Sequence, residues 1–451
     1  MYKFELSSKE KINKFNDESD KGHIFQTSYW CDFKSEWNQH YIKGVDDKKK
    51  VVLTCSLLTR KVPYLNKFIG YVPRGFVCDY LNKELIKSFA NFLKKFAKEN
   101  KISFITVDAD IHFKENENVT EVGQNTKSIL REAGFVFADA GNKNFEAIQP
   151  NFVFRLDIGN KDNLSIEEHK KRVYNNFEKK WIYNIKVANQ RCLEVEWYDK
   201  TNVPDELITE FHNIMVETGK RDNFLVRNRM YFDNLIKKVG PYSRLYMVKY
   251  NLKQDKENSL QKIEKITKEI DDLEVKIAAY IKGLEEGSED CVGAKKMQSH
   301  IKDTKKVETL TAQLNKLKER VDRINETGKD FMYLSGAIYL YYGNKAWYLY
   351  GASRDVFRDT MTNYGMQWAM ISDSIDLGLD VYDFRGVSGD VSEDNPLYGL
   401  YKFKKGFSGD FVEFIGECDL VLDKLIYKAF KEMFPKYKKV RANLRKKRSG
   451  E

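Results

Sequence analysis

The sequence predicts an α/β chain of the mixed α+β kind, made of two related units with an antiparallel helical hairpin inserted into the second. The first observation is an internal echo. Residues 85–108 set Leu85, Phe89, Phe92 and Phe96 on one helical face, then give a polar break, an apolar strand Ile102–Val107 and an acid, Asp108. Residues 366–383 repeat that order: Trp368, Ile371 and Ile375 mark a helix, Gly378 breaks it, and a short strand ends at Asp383. One helix–strand unit is common; two with the same terminal acid point to a duplicated architecture.

The second observation is the segment 251–330. Ile263, Ile266, Ile270, Leu273, Ile277 and Tyr280 follow a heptad seam, and Val307, Leu310, Leu314, Leu317, Val321 and Ile324 follow another. Each seam is too short to persist alone. Between them GLEEGSEDCVG carries three glycines, which favours a chain reversal and a hairpin over one long dimerising helix. Strand-like RLYMVKY (244–250) precedes the hairpin, and FMYLSGAIYLYY (331–342), a turn at Gly343 and AWYLYG follow it. The arm is thus expected inside a sheet connection. The division read from the chain is 1–150 for the first unit, 151–250 with 331–451 for the second, and 251–330 for the arm. Ser165-Ile166-Glu167-Glu168 has capping-box spacing and is expected to open a basic helix.

The 451 residues suffice for about three folding units at roughly 150 residues each. With 42% hydrophobic and 14% aromatic residues, large cores are available and a disordered chain is excluded. No apolar run approaches the ~18 residues of a membrane helix, and the N-terminus lacks a signal-peptide core. Cys31, Cys55, Cys78, Cys192, Cys291 and Cys418 show no close pairing and read as reduced thiols. The expectation is a soluble cytoplasmic protein. Its net charge of +10 is uneven: the arm holds 17 basic and 17 acidic groups, whereas residues 436–451 alone carry +7. A second basic patch, 169–191, has seven basic groups and one acid.

No phosphate loop, G-x-G-x-x-G, HExxH or G-x-S-x-G is present, and the six histidines are scattered. The reading is chemistry without metal, dinucleotide or covalent nucleophile, and no cofactor. What stands out is Tyr382–Glu417, where six glycines and eight Phe/Tyr crowd into 36 residues. Such a segment is neither a simple helix nor a strand, and a loop at a strand end is where sites sit.

From Tyr350 to Glu417, YGASRDVFRDTMTNYGMQWAMI (350–371), YDFRGVSGD (382–390) and DNPLYGLYKFKKGFSGDFVEFIGE (394–417) resemble the Fem family of non-ribosomal peptidyltransferases. FQTSYWCDFK (25–34), YVPRGFVCDY (71–80), FITVDADI (104–111) and ETGKRDNFLVR (217–227) extend the resemblance over most of the chain. It implies two acetyltransferase-like (GNAT) subdomains with an inserted coiled-coil arm. It also implies transfer of an amino acid from aminoacyl-tRNA to the side-chain amine of the third stem-peptide residue of a peptidoglycan precursor. The acceptor is lipid II or UDP-MurNAc-pentapeptide. Homologous Fem-type partners and peripheral contact with the inner membrane surface are implied too.

By the matching motifs Lys404, with Phe403, corresponds to the family's pair near the reacting carbonyl, with Lys402 and Lys405 as register alternatives. Asp108 matches an acid suggested as a base, and Asp110, two residues on, is expected on the same side. Lys34 with Arg221 or Arg227 is expected to clamp the acceptor diphosphate; one sequence does not choose between the arginines. Tyr71 and Arg74 look like cleft-lining residues. Lys179, Lys180 and Arg191, on the basic helix around Trp181 and Tyr183, are expected to meet the tRNA backbone. The tail 436–451 is expected to meet tRNA or anionic lipid. The alternatives are a coenzyme A-dependent N-acyltransferase, for which no pyrophosphate loop is found, and a non-catalytic scaffold for tRNA or wall precursor.

Overall fold

A computed structural model describes residues 2–137 and 147–431. The basic tail, 436–451, lies outside the described residues.

Two mixed sheets form the body. The first runs, in spatial order, Lys3–Leu6, Asn38–Val45, Val51–Lys61, Phe68–Val72, Ile102–Val107, Cys418–Val421 and Phe135–Phe137, with Val77–Cys78 paired on Val51–Lys61. The second runs Leu193–Tyr198, Ser243–Asn251, Phe331–Tyr342, Lys345–Ser353, Val381–Gly386, Phe152–Asp157, Asp410–Phe414, His112–Glu115 and Asn118–Val119.

The echo has a structural basis. In each sheet an antiparallel run ends in a strand, a helix crosses over, and the chain returns parallel. The helix Lys83–Glu99 joins Phe68–Val72 to its parallel neighbour Ile102–Val107. The helix Thr362–Asp376 joins Lys345–Ser353 to its parallel neighbour Val381–Gly386. Asn82 caps the first helix by accepting from the Leu85 amide at 3.0 Å. Its apolar stripe, Leu85, Phe89, Leu93 and Phe96, is buried with Ile102 and Ile105 of the following strand. Each such side chain contributes about 1.5–3 kcal/mol of burial.

The units are not consecutive pieces of chain. The hairpin 112–119 leaves the first unit and joins the second sheet, where His112–Glu115 pairs with Asp410–Phe414. In return Cys418–Val421 lies in the first sheet between Ile102–Val107 and Phe135–Phe137. A boundary at 150 therefore does not separate the sheets. Short strands of mixed pattern carry no signal for which sheet they enter, since either sheet satisfies their backbone groups.

The arm consists of two 34-residue helices, Leu252–Glu285 and Ala294–Thr327. Ile270, Leu273 and Leu310 are buried in the seam, flanked by Ile266, Val307 and Leu314. At its root Asn251 pairs with Phe331, so the arm sits on a hairpin end of the second sheet. There the buried Arg320 donates from Nε to Asp255 Oδ2 and from Nη1 to Asp359 Oδ2, each at 2.5 Å.

The basic stretch 169–191 is two helices, Ile166–Asn175 and Lys179–Asn189. The capping box at Ser165 and Glu168 opens the first. Phe177, between them, is drawn into the core against Trp368 and Phe407, which bends the chain.

Candidate active site at the joint of the two units

Arg155 shows how the units are tied. From the strand Phe152–Asp157 its Nη2 donates to Asp110 Oδ1 at 2.7 Å and its Nε to Asp383 Oδ2 at 3.0 Å. Lys345 Nζ donates to Asp110 Oδ2 at 3.2 Å. Burial opposes ionisation of Asp110, but Arg155 and Lys345 outweigh it and hold the carboxyl well below the usual carboxylate range. Asp110 is thus an ionised carboxylate already taken by two cations. The strand ends at Val107, and the two acids beyond it have different hydrogen-bond partners, Arg155 and Lys345 for Asp110 against Tyr71 and Arg74 for Asp108.

Asp108 is placed differently. Tyr71 Oη donates to its Oδ2 at 2.8 Å, and the Arg74 amide donates to its Oδ1 at 2.6 Å. Asp108 and Arg74 are buried. Burial pushes the Asp108 carboxyl up to about 6, against the pull of Arg74 and the Tyr71 hydroxyl. Asp108, Arg74, Lys127, Gln149 and Glu417 line a cavity of about 80 Å³. Glu417 is also raised by burial, and it accepts from the Ile148 amide.

Lys404 closes the short helix Tyr398–Lys405. Of the three lysines in KFKK it is the buried one; Lys402 and Lys405 are exposed. Its Nζ donates to Gly386 O at 2.7 Å and to Arg385 O at 3.3 Å. An ammonium has three protons, so one donor remains for a ligand. Burial lowers Lys404 to about 7, with Asp383 opposing. Phe403, beside it, packs edge-on against Tyr364 and Phe407.

The neighbouring helix is fastened to this corner. Trp181 Nε1 donates to Phe403 O at 2.9 Å, and the Glu178 amide to Gly406 O at 3.0 Å. A Cβ on Gly406 would lie 2.2 Å from the Trp181 ring, so glycine is required. Trp181 is therefore core, not a nucleic-acid platform, whereas Tyr183, Lys179 and Lys180 are exposed. Both lysines occupy the first turn, which holds no acid. That placement runs against the helix dipole and concentrates positive potential beside the Lys404 helix. Arg191 lies past the other end, half-buried.

Lys34 Nζ sits over Phe33, Trp30 and Tyr231 at 4.5, 4.8 and 5.2 Å from the ring centroids. Burial, then the charge of Arg227, lowers it to about 8. Arg227 lies over the other partner ring, Tyr231, at 5.1 Å, and Tyr231 Oη is 3.0 Å from Tyr350 Oη. Arg221 is differently committed: Nε and Nη2 bond Asp222 at 2.8 and 3.0 Å, and Nη1 bonds Ser353 O at 2.9 Å. Of the two arginines left open by the sequence, Arg227 is the one that shares a site with Lys34.

Arg155, Gln149, Tyr231 and Arg385 went unselected in the sequence. Arg155 did carry a signal, a charge inside the apolar strand FVFRLD, which demands a buried partner. Arg385 lay inside YDFRG without any local mark of its burial.

Two interlocked α/β units, an inserted arm and a joint holding a buried acid and a buried lysine define an acyl-transfer scaffold of the Fem type. The FemAB family model matches residues 7–434, and the chain belongs to that family. It is 30% identical to lipid II:glycine glycyltransferase of Staphylococcus aureus strain MSSA476 over 450 residues, covering 97% of this chain and 99% of that protein. The same protein from strain USA300 matches equally. Among solved structures, FemX superimposes with a TM-score of 0.70 at 27% identity, covering 95% of this chain and 100% of that one. Among the described residues no helix is long and apolar enough to cross a membrane, and no group of three or more His, Cys, Asp or Glu could hold a metal ion.

Proposed function

We propose that the protein is an aminoacyl-tRNA-dependent transferase that adds one amino acid to the side-chain amine of the third stem-peptide residue of a peptidoglycan precursor. The relatives' name favours glycine over alanine or serine, and lipid II over the nucleotide-linked UDP-MurNAc-pentapeptide. Fem-type partner proteins, the inner face of the membrane and a cytoplasmic setting belong to the same reading. No cofactor beyond the charged tRNA is invoked.

The observation that carries it is a chain of contacts joining a buried lysine to a buried acid: Lys404 Nζ donates to Arg385 O, Arg385 Nη2 donates to Gln149 Oε1, and Gln149 lines the same cavity as Asp108. Asp108 takes the proton that the acceptor ammonium must lose, and the freed amine attacks the ester carbonyl. A C–N bond forms and the carbonyl oxygen becomes an oxyanion, to which the remaining Lys404 donor is directed. Collapse breaks the C–O bond, and the terminal ribose oxygen of the tRNA leaves as a hydroxyl with the second proton shed by the attacking nitrogen, which ends as an amide N–H. Lys34 and Arg227 hold the acceptor diphosphate, with Tyr71 and Arg74 lining the cleft. Lys179, Lys180 and Arg191 meet the tRNA phosphates. Asp110 and Arg221 are assigned to the scaffold.

The test is transfer of labelled amino acid from charged tRNA to a lipid-linked precursor, across several amino acids and acceptors. Label in the stem peptide supports the proposal. Label arriving from an acyl-coenzyme A without tRNA, or no transfer under any pairing, overturns it.

A further inference from the structure

Arg385 and Arg74 are two buried guanidinium groups whose side chains end on neutral oxygens. Arg385 Nη2 donates to Gln149 Oε1 at 2.7 Å, and Arg74 Nη2 donates to Pro150 O at 2.6 Å. The two acceptors are consecutive residues, and both arginines are more than nine-tenths buried. No acid–guanidinium pair forms at either among the described residues. Asp383, whose charge reaches Arg385, spends Oδ2 on Arg155 and Oδ1 on the Arg385 amide at 2.7 Å. Asp108 meets Arg74 through its amide. A buried cation is normally matched by an anion, because neutral oxygens recover only part of its lost hydration. Carboxylates lie within electrostatic reach, Asp108 and Glu417 of Arg74 and Asp383 of Arg385, yet the guanidinium hydrogen bonds of both end on neutral oxygens, so the two form a cradle of N–H donors that a carboxylate would satisfy better.

The cradle also has a fixed place. Arg385 is locked at φ 62°, its carbonyl accepts from Lys404 Nζ, and its guanidinium lies 5.7 Å from the Phe25 ring centroid. The charge of Arg385 is felt at Tyr231, the ring shared by Lys34 and Arg227. Arg385 thus stands between the Lys34–Arg227 pair and the Lys404–Asp108 joint.

We infer that Arg385 and Arg74 form a carboxylate-binding subsite, which takes the C-terminal carboxylate of the acceptor peptide in place of the Gln149 and Pro150 oxygens. This rests on the function proposed above. An acceptor with a diphosphate at one end and a carboxylate at the other is then held at both, and the reacting amine, on a side chain that branches from the peptide, extends past Arg385 to the Lys404–Asp108 joint. A guanidinium fork matches a carboxylate in two parallel hydrogen bonds, which an amide does not reproduce.

The experiment is calorimetric binding of a soluble diphosphate-bearing pentapeptide precursor to the full chain, without tRNA. The precursor is used with its C-terminus free and with the same carboxyl as a primary amide. The free acid is expected to bind about tenfold to hundredfold more tightly than the amide, the range for a charge-assisted pair. In Arg385→Gln the two ligands should bind alike, and Arg385→Lys, which keeps the charge but loses the fork, should fall between. Gln149→Ala, by removing a competing oxygen, should tighten the acid and leave the amide unchanged. Equal binding of acid and amide to the unmodified protein overturns the subsite while leaving the transferase reading standing. Competition of inorganic phosphate equally against both ligands, with no acid preference, has the same meaning. No binding of either precursor overturns both.

Discussion

Lys404 Nζ lies 2.7 Å from the carbonyl oxygen of Gly386, which places the one buried cation of the KFKK run on the end of the strand that also carries Asp383 and Arg385. With the second bond to Arg385 O, that contact fixes the position of the ammonium and leaves it a single free donor.

A pH profile follows from the two shifted groups. Asp108 must be ionised to accept a proton and is raised to about 6; Lys404 must be protonated to meet an oxyanion and is lowered to about 7. kcat/KM should rise through about 6, fall above about 7 and peak between. Tyr71→Phe removes a hydrogen bond to the ionised carboxylate, so the acid limb should move to higher pH. Linkage gives the stability signs. Asp108 binds its proton more tightly when folded, so its contribution falls as pH rises from 3.8 to about 6. Lys404 binds its proton less tightly when folded, so its penalty is full below about 7 and eases between there and 10.5. An acid limb unmoved by Tyr71→Phe removes Asp108 from the base role.

Lys404→Met should abolish most transfer with little change in thermal midpoint. Removing a buried charge relieves a burial cost, while leaving the Arg385 and Gly386 carbonyls unmet costs about 1–3 kcal/mol each; the two oppose. Near-normal turnover would take Lys404 out of the site.

Asp108→Asn and Asp110→Asn should separate cleanly. Losing the Asp110 charge takes the acid from Lys345 and leaves Arg155 with Asp383 alone, and breaking a buried pair costs about 3–5 kcal/mol. Chemical denaturation should therefore show a large loss for Asp110→Asn, with activity per folded molecule retained. Asp108→Asn should lose activity and keep its midpoint. The reverse pattern would exchange their roles.

Lys34→Met and Arg227→Met should each raise the KM for the diphosphate-bearing acceptor about tenfold or more, as loss of a phosphate-binding cation does. Arg221→Met should leave KM unchanged and cost at most about 1 kcal/mol of stability, because its pairs with Asp222 and Asp355 are surface pairs. Steady-state kinetics on varied acceptor decides.

Gly406→Ala drives a methyl into the Trp181 indole. The overpacking cost is about 1–3 kcal/mol, and the displaced Trp181–Phe403 hydrogen bond should blunt transfer as well. Unchanged melting and activity would show that the helix start can move freely.

The chain by itself determined what depends on periodicity and local pattern. The 3-4 spacing of Ile266, Ile270, Leu273 and of Val307, Leu310, Leu314 dictates two helices that bury one stripe, and glycines between them allow the reversal. The helix–strand echo likewise follows from residues close in sequence, although the second strand runs past Asp383 to Gly386, and the long ordered motifs carry the family. Which sheet the hairpin 112–119 and the strand Cys418–Val421 enter was decided only in three dimensions, since either edge offers the same backbone hydrogen bonds. The charges obey the same division. Lys402, Lys404 and Lys405 are alike in sequence, and burial alone sets Lys404 apart. Arg221 and Arg227 stand six positions apart, and only tertiary contacts set one on Ser353 O and bring Lys34 over the ring of the other. Desolvation and partner charge depend on everything packed around a side chain, so the site's electrostatics belonged to the fold.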